Sequence, residues 1–407
     1  MDRQIALIGI GMGGTGGTMT CQAREYIETA DLLIGAKRML EAAKPLAEKR
    51  AEFYPEYRVP EIIDILEERK ACRKAAVLLS GDLGFYSGAK KLSAALKDPV
   101  TFYPGISSVV YFAAKLKMSW DDMKILSAHG RNANLVGEIN SHHKVFAILG
   151  TTDGVQNLAK KLVYYQIPDL TVYAGQNLGY EDEEIKAGKP EDFVDYKTTT
   201  LSVVTVVNPH PIRYVTHGIP DEEFIRDKVP MTKEEVREVS VSKMRLEKDS
   251  IVYDIGAGSG SVSIEMACKA VEGQVYAIEK KDLAVELLKK NKQKFAADNV
   301  TIVPGLAPDA LKDLPVPTHA FIGGSSGNLF SILELLLAKN PKVRVVINCI
   351  TLETVTESLN ALDKLPFEDV DIVSITAAKS KKIANYNMMM GQNPVYVISC
   401  TGCAEKK

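Results

Sequence analysis

Residues 250–279 constrain the fold of this chain more than any other stretch of its sequence. An apolar strand ends near Asp254, a glycine-rich turn leads into a helix, and a second strand ends in an acid at Glu279. The turn carries glycine at every second position, at Gly256, Gly258 and Gly260. Glycine lets the backbone turn tightly and approach a ligand without a Cβ in the way. A carboxylate at the end of the second strand can accept hydrogen bonds from both hydroxyls of a ribose. This layout predicts an adenosine cofactor at the carboxyl edge of a parallel sheet.

The spacing of the glycines distinguishes between two kinds of adenosine cofactor. The dinucleotide fingerprint is G-x-G-x-x-G, whereas Ser261 stands here where the third glycine would fall. G-x-G-x-G after an acidic strand end resembles the S-adenosylmethionine (SAM) loop of Rossmann-like methyltransferases. A second cluster, from Gly9 to Gly14, matches the dinucleotide fingerprint formally, but the next strand ends in Gly35 and not in a ribose-binding acid. The pattern therefore favours SAM and disfavours a nicotinamide- or flavin-dependent dehydrogenase.

Composition and charge exclude other classes of protein. The 407 residues suffice for two or three domains, and a formal net charge of −2 gives no electrostatic case for binding nucleic acid. There is no run of about 18 apolar residues, so no membrane span is expected, and Met1 leads into a strand by Gln4 without a secretory signal. The six cysteines are scattered, and the C-x-x-C of Cys400 and Cys403 lacks a second pair. We predict a cytoplasmic protein with reduced thiols and no bound metal.

Strands and helices alternate along the chain, which is the pattern of an α/β protein. Between Asn208 and Pro220, two prolines within four residues and a third further on exclude regular structure. We therefore predict a first domain over 1–208, a linker over 209–229 and a second domain over 230–407.

Three local features of the two domains are also predicted from pattern. In the first domain, residues 181–188 are predicted to form a helix. In the second, Thr232 and Glu235 have the spacing of a capping box at a helix start. Seven strands follow there, and no helical pattern lies between the last two, over 377–391.

Small and polar residues follow several strands of the first domain. Gly81 and Asp82 come after the third predicted strand, Ser107 and Ser108 after the fourth, and Arg131 after the fifth. Carboxyl ends of parallel strands form the ligand-binding edge of open α/β sheets. Asp82 can accept from a hydroxyl or ammonium group, the serines can cap a helix or bind a carboxylate, and Arg131 offers a bidentate fork to an anion. Together they predict a ligand site at this edge.

These motifs resemble two families of cobalamin biosynthesis. The first half resembles the class III tetrapyrrole methylases, in particular those that act on carbon 5 of precorrin-7. That likeness lies in the glycine-rich opening and in residues 81–85, 104–108, 129–131 and 177–179. The second half is similar to the precorrin-6B C(15)-methyltransferases, which also decarboxylate their substrate. Its likeness lies in residues 230–237, 254–265, 321–324 and 348–353.

The resemblance implies a two-lobed class III tetrapyrrole methylase followed by a class I Rossmann-like SAM methyltransferase with a seven-stranded sheet. It implies one SAM per domain. In the second domain the cofactor-binding residues would be Thr232, Gly256, Ala257, Gly258, Ser259, Gly260, Glu279 and Ala307. In the first they would be Gly81, Asp82, Ser107 and Ser108. Substrate and methyl group should meet near Gly323, Gly324 and Asn328. Basic candidates for a substrate with many carboxylates are Lys233, Arg237, Lys243, Arg245 and Arg131.

The function that the resemblance implies is methylation of a precorrin-6 type tetrapyrrole at carbons 5 and 15, with decarboxylation of the ring C acetate. The sequence shows no Ser/His/Asp or Cys/His constellation, and methyl transfer from SAM mainly requires alignment of the reactants and exclusion of water. The residues alone leave two alternatives open: methylation of another small molecule or an RNA, and non-catalytic binding of SAM or a tetrapyrrole. The second-domain family commonly forms tetramers, so we expect a homo-oligomer.

Overall fold

The computed structural model describes residues 3–14, 17–47, 51–129, 133–212 and 218–404. The chain forms two compact units. The first unit comprises Met1–Leu135, His142–Val163 and Pro168–Pro211, and the second comprises Val136–Ser141, Tyr164–Ile167 and Ile212–Lys407. No helix among the described residues is long and apolar enough to cross a membrane.

The first 211 residues contain ten strands and seven α-helices in the part that the structure describes. The strands are β1 (Gln4–Gly9), β2 (Leu32–Gly35), β3 (Glu52–Pro55), β4 (Lys74–Leu79), β5 (Val100–Tyr103), β6 (Lys124–Ser127), β7 (Lys144–Leu149), β8 (Thr171–Gln176), β9 (Glu184–Gly188) and β10 (Ser202–Val207). The helices are α1 (Cys21–Glu28), α2 (Lys37–Ala43), α3 (Val59–Glu68), α4 (Ala89–Ala95), α5 (Ser108–Leu116), α6 (Leu135–Ser141) and α7 (Gly154–Tyr165).

Two five-stranded sheets build the first unit. The first sheet is parallel, in the order β3-β2-β4-β1-β5. Its central strands are apolar throughout because helices cover both faces, and Ile5, Leu7 and Val77 are buried. The second sheet is mixed, in the order β6-β7-β10-β8-β9. Helix α5 packs against it through Val109 and Phe112.

The second unit contains one large sheet and a separate hairpin. Its helices are α8 (Glu234–Met244), α9 (Ser261–Lys269), α10 (Asp282–Lys294), α11 (Leu329–Lys339) and α12 (Leu352–Lys364). Its strands are β11 (Ile251–Ile255), β12 (Gln274–Glu279), β13 (Val300–Pro304), β14 (His319–Ile322), β15 (Arg344–Cys349), β16 (Phe367–Ile375), β17 (Ala378–Ile383), β18 (Tyr386–Gly391) and β19 (Val395–Gly402). The sheet order is β13-β12-β11-β14-β15-β19-β16, and only β19 runs antiparallel to the strands on either side of it.

This arrangement confirms the predicted fold class: a two-sheet unit is followed by a seven-stranded Rossmann-like sheet. Apolar clusters lie on both faces of that sheet, one around Leu333 and Val345, the other around Met266 and Val397. Such double coverage places the polar residues of the unit at the strand ends, which is where a ligand site can form.

Two predicted features are wrong. Residues 184–188 form β9, because they pair with β8 and place Ile185 against the core of the second sheet; such pairing overrides a weak helical pattern. The capping box is also absent, because α8 begins at Glu234 after Lys233. The Glu234 backbone N–H instead donates to the Asp221 carboxylate, 3.0 Å away.

Pattern analysis left some elements unassigned. It did not predict β3, α2 or α6, all short. The region 377–391 proves to be the β17–β18 hairpin, which is paired with neither edge of the large sheet.

Candidate functional site

A cavity of about 700 Å³ opens at the carboxyl edge of the seven-stranded sheet. Strand register brings together residues from four strands there, since Ile278 pairs with Ile255, Ile255 with Ile322, and Ile322 with Ile347. The residues that follow these four therefore lie side by side, and all of them line the cavity: Glu279, Gly256, Gly323 and Asn348. The connections change direction between β11 and β14, which is the position where open α/β sheets bind ligands.

The glycine turn after β11 needs its glycines for two different reasons. Gly256 has a φ of +76°, and a Cβ there would lie 2.8 Å from the Gly324 carbonyl oxygen. Gly258 has a φ of +56° and lines the cavity. Gly260 does not line it: a Cβ at this position would lie 2.8 Å from Leu288 of α10, so this glycine allows close packing of two helices. The turn thus presents backbone, and not side chains, to any ligand in the cavity.

The Glu279 carboxylate fixes this turn and retains capacity for a ligand. Its Oε2 accepts from the Gly258 backbone N–H at 2.9 Å, and its Oε1 accepts from the Lys281 N–H at 2.9 Å. Each carboxylate oxygen can accept a second hydrogen bond. The side chain borders the cavity while the residue is 8% exposed. A pair of hydroxyls, as on a ribose, matches these two remaining acceptor positions.

A second acid, Asp254, lies beneath the turn and is fully enclosed. One of its oxygens accepts from the Ser263 hydroxyl, and the other has no partner among the described residues. Burial raises the pKa of Asp254 to about 7, the Ser263 hydrogen bond opposes that rise, and the nearby Glu279 carboxylate adds to it. Asp254 does not line the cavity, so its contribution is to the packing and electrostatics under the glycine turn.

A buried arginine holds the segment that covers one side of the cavity. Arg237 is 0% exposed; its guanidinium is paired with Asp221 and Glu265, and it donates to the Thr232 carbonyl at 2.7 Å. Thr232 lines the cavity. Because both its charge and its donors are used inside the protein, Arg237 cannot serve as the substrate-binding cation that the sequence suggested.

The structure brings most of the predicted second-domain residues to one cavity. The lining includes Thr232, Gly256, Ala257, Gly258, Ser259, Glu279, Ala307, Gly323 and Gly324. Two of the predicted residues lie behind it: Gly260 packs on α10, and Asn328 donates from Nδ2 to the Ala307 carbonyl at 3.0 Å. The Ser259 hydroxyl is buried without a partner among the described residues, and a Cβ on Gly324 would meet nothing within 4 Å. The open space at Gly324, in a cavity lined by the glycine turn and Glu279, fits a polar ligand of SAM's size.

Lysines dominate the cationic part of this cavity's lining. Of the predicted cations, Lys233 lines the cavity, whereas Lys243 is paired with Asp371 and Arg245 is outside the lining. The structure adds lysines that the sequence analysis missed: Lys228, Lys280 and Lys281. Their signal was available, because two of them follow Glu279 directly at a strand end. No group of three or more His, Cys, Asp or Glu side chains suited to a metal ion occurs among the described residues.

A smaller cavity, about 250 Å³, lies within the first unit at the carboxyl edge of its parallel sheet. Gly81 and Gly11 exchange backbone hydrogen bonds of 3.0 and 3.1 Å. A Cβ on Gly105 would lie 2.3 Å from the Gly81 oxygen and 2.4 Å from the Gly9 oxygen. Three glycine-containing loops therefore meet backbone to backbone at one edge of this cavity.

The predicted first-domain residues converge here only in part. Gly81, Asp82 and Ser108 line the cavity. Asp82 also accepts from the Gly84 N–H at 2.8 Å, which shapes the loop. Ser107 does not line the cavity; it is buried and precedes the first turn of α5. The prediction for Arg131 falls outside the described residues.

Two further residues of this cavity lie close together, and the sequence had not indicated the first of them, Arg38. Arg38, in α2, and Tyr180, in the loop after β8, both line it. The guanidinium carbon of Arg38 is 5.8 Å from the centroid of the Tyr180 ring. Arg38 lies within α2, three residues after the end of β2 at Gly35, so it carries no strand-end signal.

The two cavities and the order of the seven-stranded sheet define a class of protein. A parallel sheet with a glycine turn after β11, an acid at the end of β12 and an antiparallel β19 is the architecture of the Rossmann-like methyltransferases, which use SAM as methyl donor. The chain is accordingly a SAM-dependent methyltransferase.

Comparison with known proteins gives the family. Residues 4–193 match the family described as "Tetrapyrrole (Corrin/Porphyrin) Methylases", and residues 222–401 match the "Precorrin methyltransferase domain". The chain belongs to the precorrin methyltransferases of cobalamin biosynthesis.

Individual relatives are similar to part of the chain. A protein of Sulfurisphaera tokodaii named "Probable cobalt-precorrin-6B C(15)-methyltransferase (decarboxylating)" is 42% identical over 188 residues, 44% of this chain and 95% of the relative. A protein of the same name from Methanocaldococcus jannaschii is 41% identical over 183 residues, 44% of this chain and 96% of the relative. The solved precorrin-6Y C5,15-methyltransferase of Geobacter metallireducens is 39% identical, covering 45% of this chain and 97% of its own, with a TM-score of 0.43.

Proposed function

We propose that this chain carries out two methylations of a precorrin-6 type tetrapyrrole, at carbon 5 in the first unit and at carbon 15 in the second, and removes the ring C acetate carboxyl as carbon dioxide. The observation that supports this most directly is the presence of a separate cavity in each unit, each at the carboxyl edge of a sheet and each bordered by a glycine turn. The family match in each half of the chain supports the assignment of one reaction to each unit.

In the second unit, Glu279 and the turn from Gly256 to Ser259 would hold SAM. SAM supplies an activated methyl group, so the protein has mainly to align the reactants and exclude water. Glu279 would accept from the ribose hydroxyls, and Ser259 has an unused hydroxyl beside the turn. Gly323 and Gly324 follow the neighbouring strand and line the cavity, and Gly324 leaves open space there.

In the first unit, Gly81, Asp82 and Ser108 would contact the second SAM. The loops that carry them are held by direct contacts between backbones, because Gly9 and Gly105 lack side chains at the meeting point. Asp82 keeps one carboxylate oxygen available after bonding Gly84. We place Ser107 in a supporting role, since it precedes α5 behind the cavity surface.

Loss of carbon dioxide requires no side-chain nucleophile. The bond between the acetate methylene and its carboxyl carbon breaks, the electron pair enters the conjugated macrocycle, and a proton from solvent takes the vacated position. The second unit would orient the substrate. Lysines in the cavity lining would bind its other carboxylates, and apolar side chains such as Ile350 and Val395 would contact its apolar parts. Desolvation of the departing carboxylate favours its loss.

We also propose that the chain assembles as a homo-oligomer through the second unit. The β17–β18 hairpin exposes a run of large apolar side chains, including Tyr386 at 75% and Met389 at 65% exposure. Exposed contiguous apolar surface of this kind marks interaction sites, and a second copy of the chain is the partner that the tetramers of the second-domain family suggest. Light scattering should show a mass that is a multiple of the chain mass, and Met389→Lys with Tyr386→Lys should reduce it; a monomeric wild type would contradict the proposal.

The cytoplasm is the compartment that we propose for this chemistry. All six cysteines are free thiols, which fits a reducing environment.

Mass spectrometry of a precorrin-6 type substrate incubated with the chain and SAM tests the proposed function. We expect a product with two added methyl groups and one lost carbon dioxide, from the metal-free or the cobalt-loaded substrate. Titration of SAM in parallel shows whether the protein is competent to bind its cofactor. No mass change with either form of the substrate, in a protein that binds SAM, would overturn the proposal.

A further inference from the structure

We propose that Arg38 is a substrate-binding residue of the first unit and holds a carboxylate of the tetrapyrrole. This inference rests on the proposed function, because it takes the substrate of the first unit to be a polycarboxylate. It adds a residue that neither the motifs nor the family matches assign.

The position of Arg38 follows from the strand order of the parallel sheet. Strand β2 lies beside β4, and Gly35 at its end pairs with Leu78 near the end of β4. Chain segments that leave these two strands therefore emerge side by side. Arg38 follows Gly35 by three residues, and Gly81 follows Leu78 by three; both line the cavity.

The guanidinium of Arg38 has no acidic partner among the described residues. No described carboxylate forms an ion pair with it, and its recorded contact is with the Tyr180 ring at 5.8 Å. The side chain is partly buried. Because Arg38 lines the cavity and forms no ion pair within the described residues, its guanidinium is available to a ligand anion. A ligand carboxylate would supply the missing charge.

The ring under Arg38 is itself fixed by the backbone around it. The Tyr180 N–H donates to the Asn177 carbonyl at 3.0 Å. A Cβ added to Gly14 would lie 3.2 Å from the Tyr180 ring, and one added to Gly13 would lie 2.0 Å from the Gly179 oxygen. The loop after β8 is thus pressed against the loop after β1. The Arg38 guanidinium lies over this ring at cation–π distance, and its planar fork can bind a carboxylate through two hydrogen bonds.

The same strand order places Arg38 beside Gly81, at the end of the proposed SAM site that is farthest from Ser108. Gly81 and Ser108 follow β4 and β5, which flank β1. Arg38 follows β2, one strand further out on the β4 side. SAM also carries a carboxylate, but its proposed contacts extend from Gly81 across β1 to Ser108, on the side of β4 that faces away from β2. We therefore assign the carboxylate at Arg38 to the tetrapyrrole.

Kinetics of methylation at carbon 5 test the assignment with matched variants. Arg38→Met keeps most of the aliphatic side chain and removes the charge, and Arg38→Lys keeps the charge without the planar fork. Arg24→Met is the control, since Arg24 is an exposed arginine of the same unit outside the cavity. Loss of a charge-assisted bond to a carboxylate should raise the KM for the tetrapyrrole roughly 10- to 100-fold in Arg38→Met, with kcat changed much less. Arg38→Lys should lie between this variant and wild type, and Arg24→Met should match wild type.

Binding measurements separate the two possible sources of the carboxylate. Calorimetry should give the same SAM affinity at both sites in Arg38→Met as in wild type. Absorbance titration of the tetrapyrrole should show a weakened phase in this variant, and a fully esterified tetrapyrrole should bind variant and wild type equally. A tetrapyrrole affinity equal to that of wild type would overturn the inference, as would a selective loss of SAM affinity. Failure of the proposed function would show instead as wild-type protein that neither binds nor methylates the tetrapyrrole.

Discussion

The two units each carry a glycine-rich turn after the first strand of a parallel sheet, but they complete it in different ways. In the second unit, β12 is the immediate neighbour of β11, so an acid at its end lies about 5 Å away across the sheet. Glu279 accordingly accepts from the Gly258 N–H at 2.9 Å. In the first unit, β4 lies between β1 and β2, so the end of β2 is about 10 Å from the turn. Here the chain has Gly35 and, three residues on, Arg38.

This difference shows that a glycine motif predicts which residues complete the site only when the order of the strands is also known. Where the second strand is adjacent, an acid can both hold the turn and face a ribose. Where another strand intervenes, the turn is completed by the backbone of its neighbours, as Gly11 and Gly81 do by exchanging hydrogen bonds. The second-unit site therefore depends on a charged side chain, and the first-unit site depends on the absence of side chains.

Removal of the Glu279 carboxylate should have the largest effect, and that effect should be on SAM binding. Glu279→Ala loses the hydrogen bonds to the turn and the acceptors for a ribose, and bonds to a charged group are worth about 1.5–3 kcal/mol each. We expect SAM affinity at the second unit to fall roughly 100- to 1,000-fold, so that calorimetry detects one strong site in place of two. Methylation at carbon 15 and decarboxylation should disappear while the first unit retains its SAM site. Loss of both sites would contradict the independence of the two units.

Addition of a single methyl group at Gly105, in the loop after β5 that contacts the first-unit turn, should have the next largest effect. In Gly105→Ala the new Cβ would lie 2.3 Å from the Gly81 oxygen and 2.4 Å from the Gly9 oxygen. Backbone cannot move aside as a side chain can, and overpacking of this kind costs about 1–3 kcal/mol. We expect a lower unfolding temperature for the first unit and loss of its SAM site, with the second site intact.

Gly88→Ala is the matched control for that change. Gly88 lies in the same unit, and a Cβ there would meet nothing within 4 Å. Its stability should stay within about 0.5 kcal/mol of wild type. Equal tolerance of alanine at Gly105 and Gly88 would show that the first-unit turn does not depend on close backbone contact.

The burial of Asp254 predicts that the stability of the second unit depends on pH. Because burial raises the pKa of Asp254 to about 7, its folded-state pKa lies above the unfolded value near 4. The contribution of Asp254 to stability is therefore fully present below about pH 4 and is lost as pH rises through 7. Asp254→Asn should stabilise the second unit by about 1–2 kcal/mol at pH 8, less than the roughly 4 kcal/mol that three pKa units represent, because the amide must find its own partners. Near pH 4 this advantage should vanish.

Hydrogen exchange of peptides from β11 and α9 at both pH values is the measurement. Slower exchange in Asp254→Asn at pH 8 and equal exchange near pH 4 is the expected pattern. Faster exchange in Asp254→Asn than in wild type at pH 8 would mean that the folded protein stabilises the ionised Asp254 carboxylate despite its burial.

The sequence was enough to group residues that lie at the ends of neighbouring strands. Gly256, Gly258 and Glu279 were predicted together, and the structure places all three on one cavity. It failed where the outcome depends on long-range partners. Thr232 was expected to cap α8, but Asp221, far from the helix start in sequence, accepts the Glu234 N–H.

Cations were the hardest residues to assign from sequence. Arg237 is fully buried between Asp221 and Glu265, whereas Lys281 and Arg38 line cavities. Spacing in sequence does not reveal whether an arginine has a carboxylate beside it. Tertiary packing decides that: the carboxylates beside Arg237 come from α9 and from a segment that precedes α8.

The smallest expected effect concerns the cations of the second unit, and it sharpens the contrast with Arg38. Lys281 lines the cavity and is exposed, with no recorded ion pair, so solvent screens its charge and an ion pair with a substrate carboxylate is worth at most about 0.2–1 kcal/mol. Lys281→Met should therefore lower kcat/KM at carbon 15 only about two- to fivefold, and added salt should reduce the difference. Lys342→Met, which removes an exposed lysine of the same unit outside the cavity, should have no effect. A fall in kcat/KM for Lys281→Met as large as that expected for Arg38→Met would mean that the lysine becomes enclosed when substrate binds. The proposed difference between a solvent-screened lysine in the second unit and a partly buried arginine in the first would then be wrong.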